Sequence, residues 1–413
     1  MCLDKRAGLR ERWGRCACLP WRIPVKITSV ETYLLRFPVD PYTYGASSKG
    51  WIRDRSSLLV RLKTDAGVEG WGEGGQTGPP ELTQVVVDHS LAPLLVGEDP
   101  FASTMLWERM YDVTRDYGQK GVVIGAISGV DIALWDLKGR ALGVPVYALL
   151  GGPFRDRAVP YATGMYIKQG RDRAEQFRIL QDEARGYVAQ GFSAMKMKIG
   201  FFPPKEDIAL VGAIREAIGP DIRLAVDANH AYNAYTAIEV GRAIEPSRIA
   251  WFEEPVPPED LQGYLQVKAG VSIPISGGEV EYTSFGAREL IARRAVDIIQ
   301  PDTCGCGGIT ECWRIAALAR AYGVQYFPHV WGSVVGLAAS LHLLAALPPC
   351  PPTANPSPYY QEPLLEFDRN PSPLRDDLST EPIRLEDGIV RVPQGPGLGI
   401  TIDPEVLERY RVA

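Results

Sequence analysis

Three features are scarce in this 413-residue sequence: long apolar runs, an excess of positive charge, and cysteine. No apolar run reaches the roughly 18 residues that a bilayer-spanning helix needs, so a transmembrane segment is not expected. The 50 acidic residues outnumber the 44 lysines and arginines, which gives a formal net charge of −6. Without a basic stripe along the chain, binding to a nucleic acid or another polyanion is not expected either.

Cysteine and histidine are both rare. None of the cysteines is spaced with histidine as in a zinc finger, and their number is odd, which is typical of a reduced, cytoplasmic protein. The seven cysteines are Cys2, Cys16, Cys18, Cys304, Cys306, Cys312 and Cys350. The four histidines are His89, His230, His329 and His342.

The first 24 residues differ from the rest of the chain. They are basic and lack the apolar core of about 7–15 residues that a secretory signal carries. We expect a loose N-terminal extension with no chemistry of its own. Cys16 and Cys18 form a Cys-x-Cys pair there, but no second pair of ligands accompanies it, so a metal role is not expected.

From residue 25 onward the sequence predicts two large units. With 46% hydrophobic residues, the chain can bury a sizeable core. Residues 25–152 predict an α+β domain that begins with strands, including a hairpin around Asp65-Ala66-Gly67, and continues as helices from about Glu81 to Leu142.

Residues 153–366 repeat a different pattern, in which a short apolar strand precedes a long amphipathic helix. Repeated βα units predict a parallel sheet, and at least seven of them favour closure into a barrel. An open doubly wound sheet is the alternative, although no Gly-x-Gly-x-x-Gly opens a helix after a first strand. Residues 367–413 predict a C-terminal segment that returns to the cap, in which Asp387 to Ile400 form a β-ribbon and loop outside the barrel.

Charged residues close five successive predicted strands, at intervals of 23 to 27 residues: Asp227, Glu253, Glu279, Asp302 and His329. In a barrel such residues gather at the mouth where active sites are built. Asp227, Glu253 and Glu279 would repel one another unless a cation held them, and three oxygen ligands suit Mg²⁺. The alternative is that each acid is separately paired with an arginine or caps a helix.

The stretch GFSAMKMKIG places Lys196 and Lys198 two residues apart in a predicted strand. Residues i and i+2 of a strand share a face, so both ammonium groups point the same way. A solvated edge strand is the alternative interpretation. Because Lys198 lies about one repeat before Asp227, we expect both lysines to enter the barrel mouth, where burial beside a cation can lower the pKa of one of them enough for it to act as a base.

Asp302 and His329 close the next two strands. A carboxylate bonded to a histidine fixes its tautomer and raises its basicity, so the pair predicts an acid/base group facing the lysines. Glu254 follows Glu253 directly, and strand alternation predicts that it points to the opposite face and forms a structural salt bridge.

These residues resemble the enolase superfamily, specifically its mandelate racemase-like branch, from Val25 onward. Members use a Lys or His base with Mg²⁺ to stabilise an ene-diolate. The motifs that carry the resemblance are SGVDIALWDLKGRALGVPVYALLGG, the Lys-x-Lys pair, DAN, WFEEP, GGE, QPD, PH and GPGLGI.

The resemblance implies a modified TIM barrel, (β/α)₇β, with an N-terminal α+β capping domain. It implies Asp227, Glu253 and Glu279 as Mg²⁺ ligands, Lys198 and His329 with Asp302 as acid/base groups, and Lys196 as a carboxylate contact. The family also has a glutamate on the eighth strand, for which the QEP motif favours Glu362 over Glu366. His230 and Trp331 lie near the expected mouth and are candidate substrate contacts. A homo-oligomer is implied as well.

A finer likeness concerns the substrate. YATG, DANHAY, WFEEPVPPEDL, QPDTCGCGG, PHVWGS and LEFDRNPSPLR resemble galactarolactone cycloisomerases, which open an aldaric acid lactone by β-elimination. The loop PYTYGASSKGWIRDRSS departs from them. Two alternatives stay open within the family: an acid-sugar dehydratase and a racemase or epimerase. A non-catalytic sugar-acid binding protein is the alternative of another class, and loss of a ligand or base would be its sign.

Overall fold

The computed structural model describes residues 25–40, 43–47, 49–75, 78–355 and 362–412. The expectations for residues 1–24, including Cys16 and Cys18, therefore lie outside the described residues. Within the described ranges, no helix combines the length and the apolar character needed to cross a membrane.

The N-terminal domain begins with strands, as predicted. An antiparallel sheet with strand order β1-β4-β5 is joined by the expected hairpin, in which Lys63 pairs with Glu69 across the turn. A second hairpin, β2-β3, stands apart from this sheet. The strands are β1 (Ile27–Pro38), β2 (Tyr44–Ala46), β3 (Gly50–Ile52), β4 (Asp54–Thr64) and β5 (Glu69–Gly74).

Helices cover one face of the β1-β4-β5 sheet, and glycine lets the longest of them lie directly on β5. A methyl group on Gly72 would come within 2.0 Å of a carbonyl oxygen of this helix, and methyl groups on Gly70 and Gly74 would come within 2.2 Å and 2.3 Å of other carbonyl oxygens of the same helix. The helical segments are Pro80–Val85, Val86–Leu91, Ala92–Leu95, Pro100–Ala102, Ser103–Thr114, Val122–Leu142 and Val146–Leu149.

The central domain has eight parallel strands, which lie in the order β14-β6-β8-β9-β10-β11-β12-β13. They are β6 (Arg157–Thr163), β8 (Ala194–Lys198), β9 (Arg223–Asp227), β10 (Ile249–Glu253), β11 (Ile275–Gly277), β12 (Ile298–Ile299), β13 (Gln325–Tyr326) and β14 (Leu364–Asp368). The short strand β7 (Ile167–Lys168) pairs with β2.

Seven long helices follow the first seven of these strands, which gives the predicted (β/α)₇β order. They are Arg173–Ala189, Pro204–Ile218, Ala234–Ile244, Leu261–Gly270, Thr283–Ala292, Gly308–Ala321 and Val334–Ala346, with a short 3₁₀ turn at Glu245–Ser247. This order agrees with the predicted α/β fold, a modified TIM barrel with a capping domain.

The sheet curls around a packed interior. Tyr161 on the first strand stacks edge-on against Trp251 on the fourth at 5.1 Å, and Trp251 contacts Phe327 after the seventh at 5.8 Å. No β13-β14 pair is hydrogen-bonded among the described residues, but the backbone N–H of Val330 donates to Glu366 at 3.0 Å. The first and last parts of the sheet therefore meet at its carboxyl end.

The C-terminal segment returns to both domains. Strands β15 (Leu385–Glu386) and β16 (Ile389–Arg391) form a hairpin, and β16 extends the sheet by pairing with the start of β6. The ribbon is thus attached to the barrel sheet, in contrast to the expectation that it stands outside, because the amino end of β6 has a free edge. After short helices at Pro373–Asp376 and Pro404–Tyr410, Val412 N–H donates to Leu34 O at 2.8 Å in the cap.

Candidate active site

The polar residues at the barrel mouth lie directly above the apolar interior layer, two residues further along the same strands. Trp251 is followed in this way by Glu253, and Phe327 by His329. Side chains at i and i+2 share a face, so each strand that contributes an apolar group to the interior also contributes a polar group to its carboxyl end. The charged residues that close successive strands in the sequence therefore form one cluster in space.

Asp227, Glu253 and Glu279 form the centre of this cluster, as predicted. One carboxylate oxygen from each lies within 4.8 Å of the others, and all three residues are buried. Glu279 Oε2 is buried without a hydrogen-bond donor among the described residues, although His329 Nε2 lies 3.4 Å away. Buried carboxylates of this kind need a compensating charge, and their all-oxygen character fits a hard divalent cation.

Both lysines enter the cluster, as their spacing predicts. Lys196 Nζ lies 2.5 Å from Glu253 Oε1 and 3.6 Å from Asp227 Oδ2, while Lys198 Nζ bonds the same Asp227 oxygen. Burial would lower the pKa of Lys198, but Asp227, Tyr166 and Glu279 together outweigh burial and raise it. The expectation of a lowered lysine pKa requires a cation beside the lysine, so it stays a prediction. A cation at Asp227 would compete with the ammonium and reverse the trend.

The surroundings of Glu253 and Glu279 shift the pKa values of these two carboxyl groups in opposite directions. Burial raises the pKa of Glu253 to about 8, and the neighbouring carboxylates add to this against the opposing effect of Lys196. Burial also opposes ionisation of Glu279, but His329, Lys49, Lys198 and Lys196 together outweigh burial and hold the pKa of Glu279 well below the usual range. Ionisation is therefore disfavoured at Glu253 and favoured at Glu279.

Asp302 and His329 make the predicted contact. His329 Nδ1 lies 2.6 Å from Asp302 Oδ2, and the other Asp302 oxygen accepts the Cys304 backbone N–H at 2.7 Å. The second ring nitrogen of His329 faces Glu279. Burial would lower the pKa of His329, but Glu279, Glu366 and Asp302 outweigh it and raise it to about 9. His329 and Lys198 thus approach the carboxylate centre from β13 and β8.

The preference for Glu362 as the eighth-strand carboxylate is wrong. Glu362 precedes β14 at its amino end, where it is partly exposed and lies 3.9 Å from Arg155. Glu366 lies four residues further along, at the carboxyl end, and its Oε1 is 2.9 Å from Lys196 Nζ and 2.6 Å from Thr163 Oγ1. An extended strand advances about 3.3 Å per residue, so the two glutamates lie near opposite ends of the barrel.

The expectation for Glu254 is also wrong in part. Its φ of +43° breaks strand alternation, so the buried side chain turns toward the mouth instead of the opposite face. It does form a salt bridge, with its Oε2 2.7 Å from His230 Nε2. His230 in turn lines a cavity of about 720 Å³ that also reaches Glu279 and Trp331.

The cap closes this cavity with the β2-β3 hairpin. Ser47 Oγ donates to Ala228 O at 2.5 Å, and Trp51 packs edge-on against Phe201 at 5.1 Å, so the hairpin is anchored on loops that follow two barrel strands. Its Lys49 reaches Glu279 at 3.3 Å. Lys49 is therefore the cap's direct contact with the carboxylate centre.

Trp331 forms the opposite wall of the cavity. The Arg55 guanidinium lies 4.1 Å from the centre of its ring, and Lys49 Nζ lies 5.3 Å from it. Arg55 is buried and ion-paired with Asp368 at the end of β14. Both candidate contacts, His230 and Trp331, thus line the cavity, together with Lys49 and Arg55.

Sequence reasoning missed Lys49 and the orientation of Glu254, and it placed Glu366 second to Glu362. Lys49 belongs to a loop with no periodic pattern that would place it over the barrel. Strand alternation within LLEFD would have favoured Glu366, because a residue inside the apolar run is on the strand whereas Glu362 precedes it. No local signal marks the backbone conformation of Glu254.

Two family models match the chain. Residues 37–151 match the N-terminal domain of mandelate racemase and muconate lactonizing enzyme, and residues 180–406 match the model described as enolase C-terminal domain-like. The two matches correspond to the cap and to most of the barrel with the C-terminal segment.

Individual proteins are similar over nearly the whole chain. The D-galactarolactone cycloisomerase of Agrobacterium fabrum is 42% identical over 388 residues, which is 94% of this chain and 99% of the relative. The arabinonate dehydratase of Saccharolobus solfataricus is 37% identical over 354 residues, 86% of this chain and 90% of the relative. A solved structure of a racemase from Streptomyces coelicolor A3(2) with bound magnesium has a TM-score of 0.82 at 30% identity, covering 94% of this chain and all of the other.

Proposed function

The chain belongs to the mandelate racemase and muconate lactonizing enzyme group of the enolase superfamily, and on that premise we propose that it removes the α-proton of a sugar-acid carboxylate and then eliminates the β-oxygen. The observation that carries the proposal is the convergence of three carboxylates with Lys198 and His329 at one barrel mouth. Removing a proton next to a carboxylate places a second negative charge on the same group, so the site must supply positive charge there.

We propose Mg²⁺ as the cofactor, held by Asp227, Glu253 and Glu279. The orphaned Glu279 oxygen and the all-oxygen donor set support this choice, and the similar racemase structure contains magnesium. When bound, the cation supplies positive charge beside the substrate carboxylate. Lys196 adds a second positive charge, and its ammonium group is held in place by Glu253 and Glu366.

Lys198 and His329 are the proposed acid/base groups. They stand on β8 and after β13, with the carboxylate centre between them. Asp302 holds Nδ1 of His329, which leaves Nε2 as the nitrogen directed to the centre. Two such groups can remove a proton from one face of a carbon or return it to the other.

Cycloisomerisation of galactarolactone is the reaction we favour. Identity of 42% to the Agrobacterium cycloisomerase extends over nearly the whole chain, and the substrate would lose its lactone ring oxygen from the β-carbon to give a keto-deoxy hexarate. An acid-sugar dehydratase is the second candidate, supported by the similarity to the arabinonate dehydratase. A racemase or epimerase would use the same two acid/base groups without elimination.

One experiment separates these reactions. Magnesium-loaded protein is incubated in deuterated water with a panel of aldonic acids, aldaric acids and their lactones, and NMR follows the products and the α-proton. A keto-deoxy hexarate from galactarolactone supports cycloisomerisation, while turnover of open-chain acids alone supports the dehydratase. No α-proton exchange with any acid overturns the proposed function. Sedimentation of the same preparation tests the predicted homo-oligomer.

A further inference from the structure

The loop of residues 300–307 follows β12 and carries Asp302; it is called the dyad loop below. The backbone N–H groups of Gly305 and Cys306 donate to Asp302 O at 3.0 and 2.8 Å. The Cys304 N–H donates to one oxygen of the Asp302 carboxylate at 2.7 Å. The direction in which this carboxylate points therefore depends on the conformation of the dyad loop.

The cap holds the far end of the dyad loop. Ser128, on the long cap helix Val122–Leu142, accepts the Gly307 backbone N–H with its Oγ at 2.8 Å. Trp107, on helix Ser103–Thr114, donates its indole N–H to Gly307 O at 2.8 Å. Both side chains are fully buried. The N–H and the carbonyl of one loop residue are thus both bonded to cap side chains.

Asp131, three residues after Ser128 on the same helix, bonds the chain just beyond the loop. Its Oδ2 accepts the Thr310 backbone N–H at 2.9 Å, and its Oδ1 accepts the Thr310 hydroxyl at 2.6 Å. Thr310 lies in the first turn of helix Gly308–Ala321, where backbone N–H groups lack partners inside the helix and a negative charge is favourable. A cap carboxylate therefore fixes the start of the barrel helix that follows the dyad loop.

The two domains approach closely at Asp131. Gly308 has a φ of +83°, and a Cβ on this residue would come within 2.4 Å of Asp131 Oδ2. Burial raises the pKa of Asp131 to about 6, against the opposing effect of the bonds from Thr310. The carboxylate is thus mostly ionised at neutral pH and keeps both of its acceptor oxygens for Thr310.

We propose that Asp131 is a positioning residue for the Asp302–His329 pair, and that the cap thereby sets the geometry of one of the two acid/base groups. The inference rests on the proposed function. Its contacts run from Asp131 through Thr310 and the dyad loop to Asp302. Lys198 stands on β8, four strands from β12 in the sheet, so displacement of the dyad loop alters the His329 side and leaves Lys198 in place.

Exchange on each face of the substrate tests the proposal. In magnesium-loaded Asp131→Asn protein, the amide can accept only one of the two bonds, so the dyad loop shifts. We expect α-proton exchange in deuterated water, measured with the two epimeric substrates, to fall about tenfold on the His329 face and to stay within about twofold of wild type on the Lys198 face. Equal loss on both faces, or no loss on the His329 face, would overturn the proposal.

Asp136 on the same helix provides a matched control. It is also a fully buried carboxylate, but it accepts the backbone N–H groups of Trp71 on β5 and Leu398 in the C-terminal segment, at 2.8 and 2.7 Å. Asp136→Asn should lower the midpoint of thermal unfolding, as Asp131→Asn does, yet leave the ratio of the two exchange rates at its wild-type value. A similar change of ratio in both variants would show that general loss of cap stability is sufficient, and the specific role of Asp131 would fall.

A milder variant covers the case in which Asp131→Asn does not fold. Ser128→Ala removes the bond to Gly307 and keeps the Asp131 carboxylate. It should shift the ratio of exchange rates in the same direction, by about two- to fivefold. An unchanged ratio in folded Ser128→Ala protein would contradict control of the dyad loop by the cap.

A readout without turnover separates this inference from the function on which it rests. The Nδ1 proton of His329 gives an NMR signal that reports its bond to Asp302 at a fixed pH. This signal should move in Asp131→Asn and Ser128→Ala, but not in Asp136→Asn. If wild type exchanges no α-proton, the proposed function fails, and this signal still decides whether Asp131 positions the pair. A signal that does not move in the first two variants overturns the inference, whatever the exchange.

Discussion

His329 and Asp302 meet at 2.6 Å, with the other imidazole nitrogen directed at Glu279 3.4 Å away. The two residues close successive strands, β12 and β13, so their contact follows from neighbouring positions in the sheet. The contact gives the imidazole one nitrogen for its carboxylate partner and one for chemistry.

Replacing Asp302 with Asn should impair proton transfer by His329 but not proton transfer by Lys198. The amide has no negative charge to hold the Nδ1 proton, so the tautomer and basicity of the ring change. We expect α-proton exchange on one face of the substrate to fall about 10²- to 10⁴-fold, with exchange on the Lys198 face nearly unchanged. Exchange from the two epimeric substrates in deuterated water measures each face. Equal loss on both faces would contradict separate roles.

The titration of His329 should depend on the metal. Its pKa of about 9 exceeds the ordinary value because Glu279, Glu366 and Asp302 favour the charged ring over the opposing effect of burial. A cation bound to Glu279 offsets that negative charge, so the pKa should fall when Mg²⁺ is added to chelator-treated protein. NMR titration of the imidazole in the two states checks this. An unchanged or higher value with Mg²⁺ would place the cation elsewhere.

Removing the Lys49 ammonium should tighten binding of the divalent cation. Lys49 lies 3.3 Å from Glu279 and competes with a cation for that carboxylate, and it also repels the cation. We expect Lys49→Met to lower the Kd for Mg²⁺ several-fold, measured by calorimetry. Lys120→Met is the control, since this exposed lysine lies 3.9 Å from Glu281, outside the carboxylate centre. Weaker binding in Lys49→Met would mean that Lys49 supports the metal site.

His342 should make the protein less stable in mild acid. Burial lowers its folded pKa to about 4, below the unfolded value near 6.5. Between these values the unfolded chain takes up a proton that the folded protein does not, so stability falls as pH drops from about 6.5 to 4. Between about pH 6.5 and pH 4 the free energy of unfolding should therefore fall by roughly 2–3 kcal/mol less in His342→Gln than in wild type. Unfolding midpoints at several pH values compare the two proteins, and parallel profiles would refute the assignment.

Glu73 should couple the cap to the barrel. This fully buried carboxylate accepts bonds from Ser57 Oγ at 2.6 Å, from Ser333 and from the Gly336 backbone N–H at 2.9 Å, at the start of helix Val334–Ala346. Glu73→Gln keeps the size but loses charge and acceptor capacity, so we expect a loss of about 1–3 kcal/mol. Thermal unfolding measures it. Glu69→Gln, on the same strand but partly exposed, should change stability by less than about 1 kcal/mol.

The sequence by itself determined the barrel and the centre of its site. Parallel strands end at one edge, and a two-residue period puts Glu253 above Trp251 and His329 above Phe327. Both rules act within a single strand, so they can be applied before the fold is known. The cluster of three carboxylates, the shared face of the Lys-x-Lys pair and the Asp302–His329 contact follow from them.

Only the tertiary structure decided Glu366 over Glu362, the turn of Glu254 toward His230, and the reach of Lys49 from the cap to Glu279. Each depends on neighbours distant in sequence: the register of β14 beside β6, a positive φ imposed between two loops, and a hairpin anchored on another domain. Local periodicity carries no information about such contacts, because their free energy comes from groups that meet only after the chain has folded.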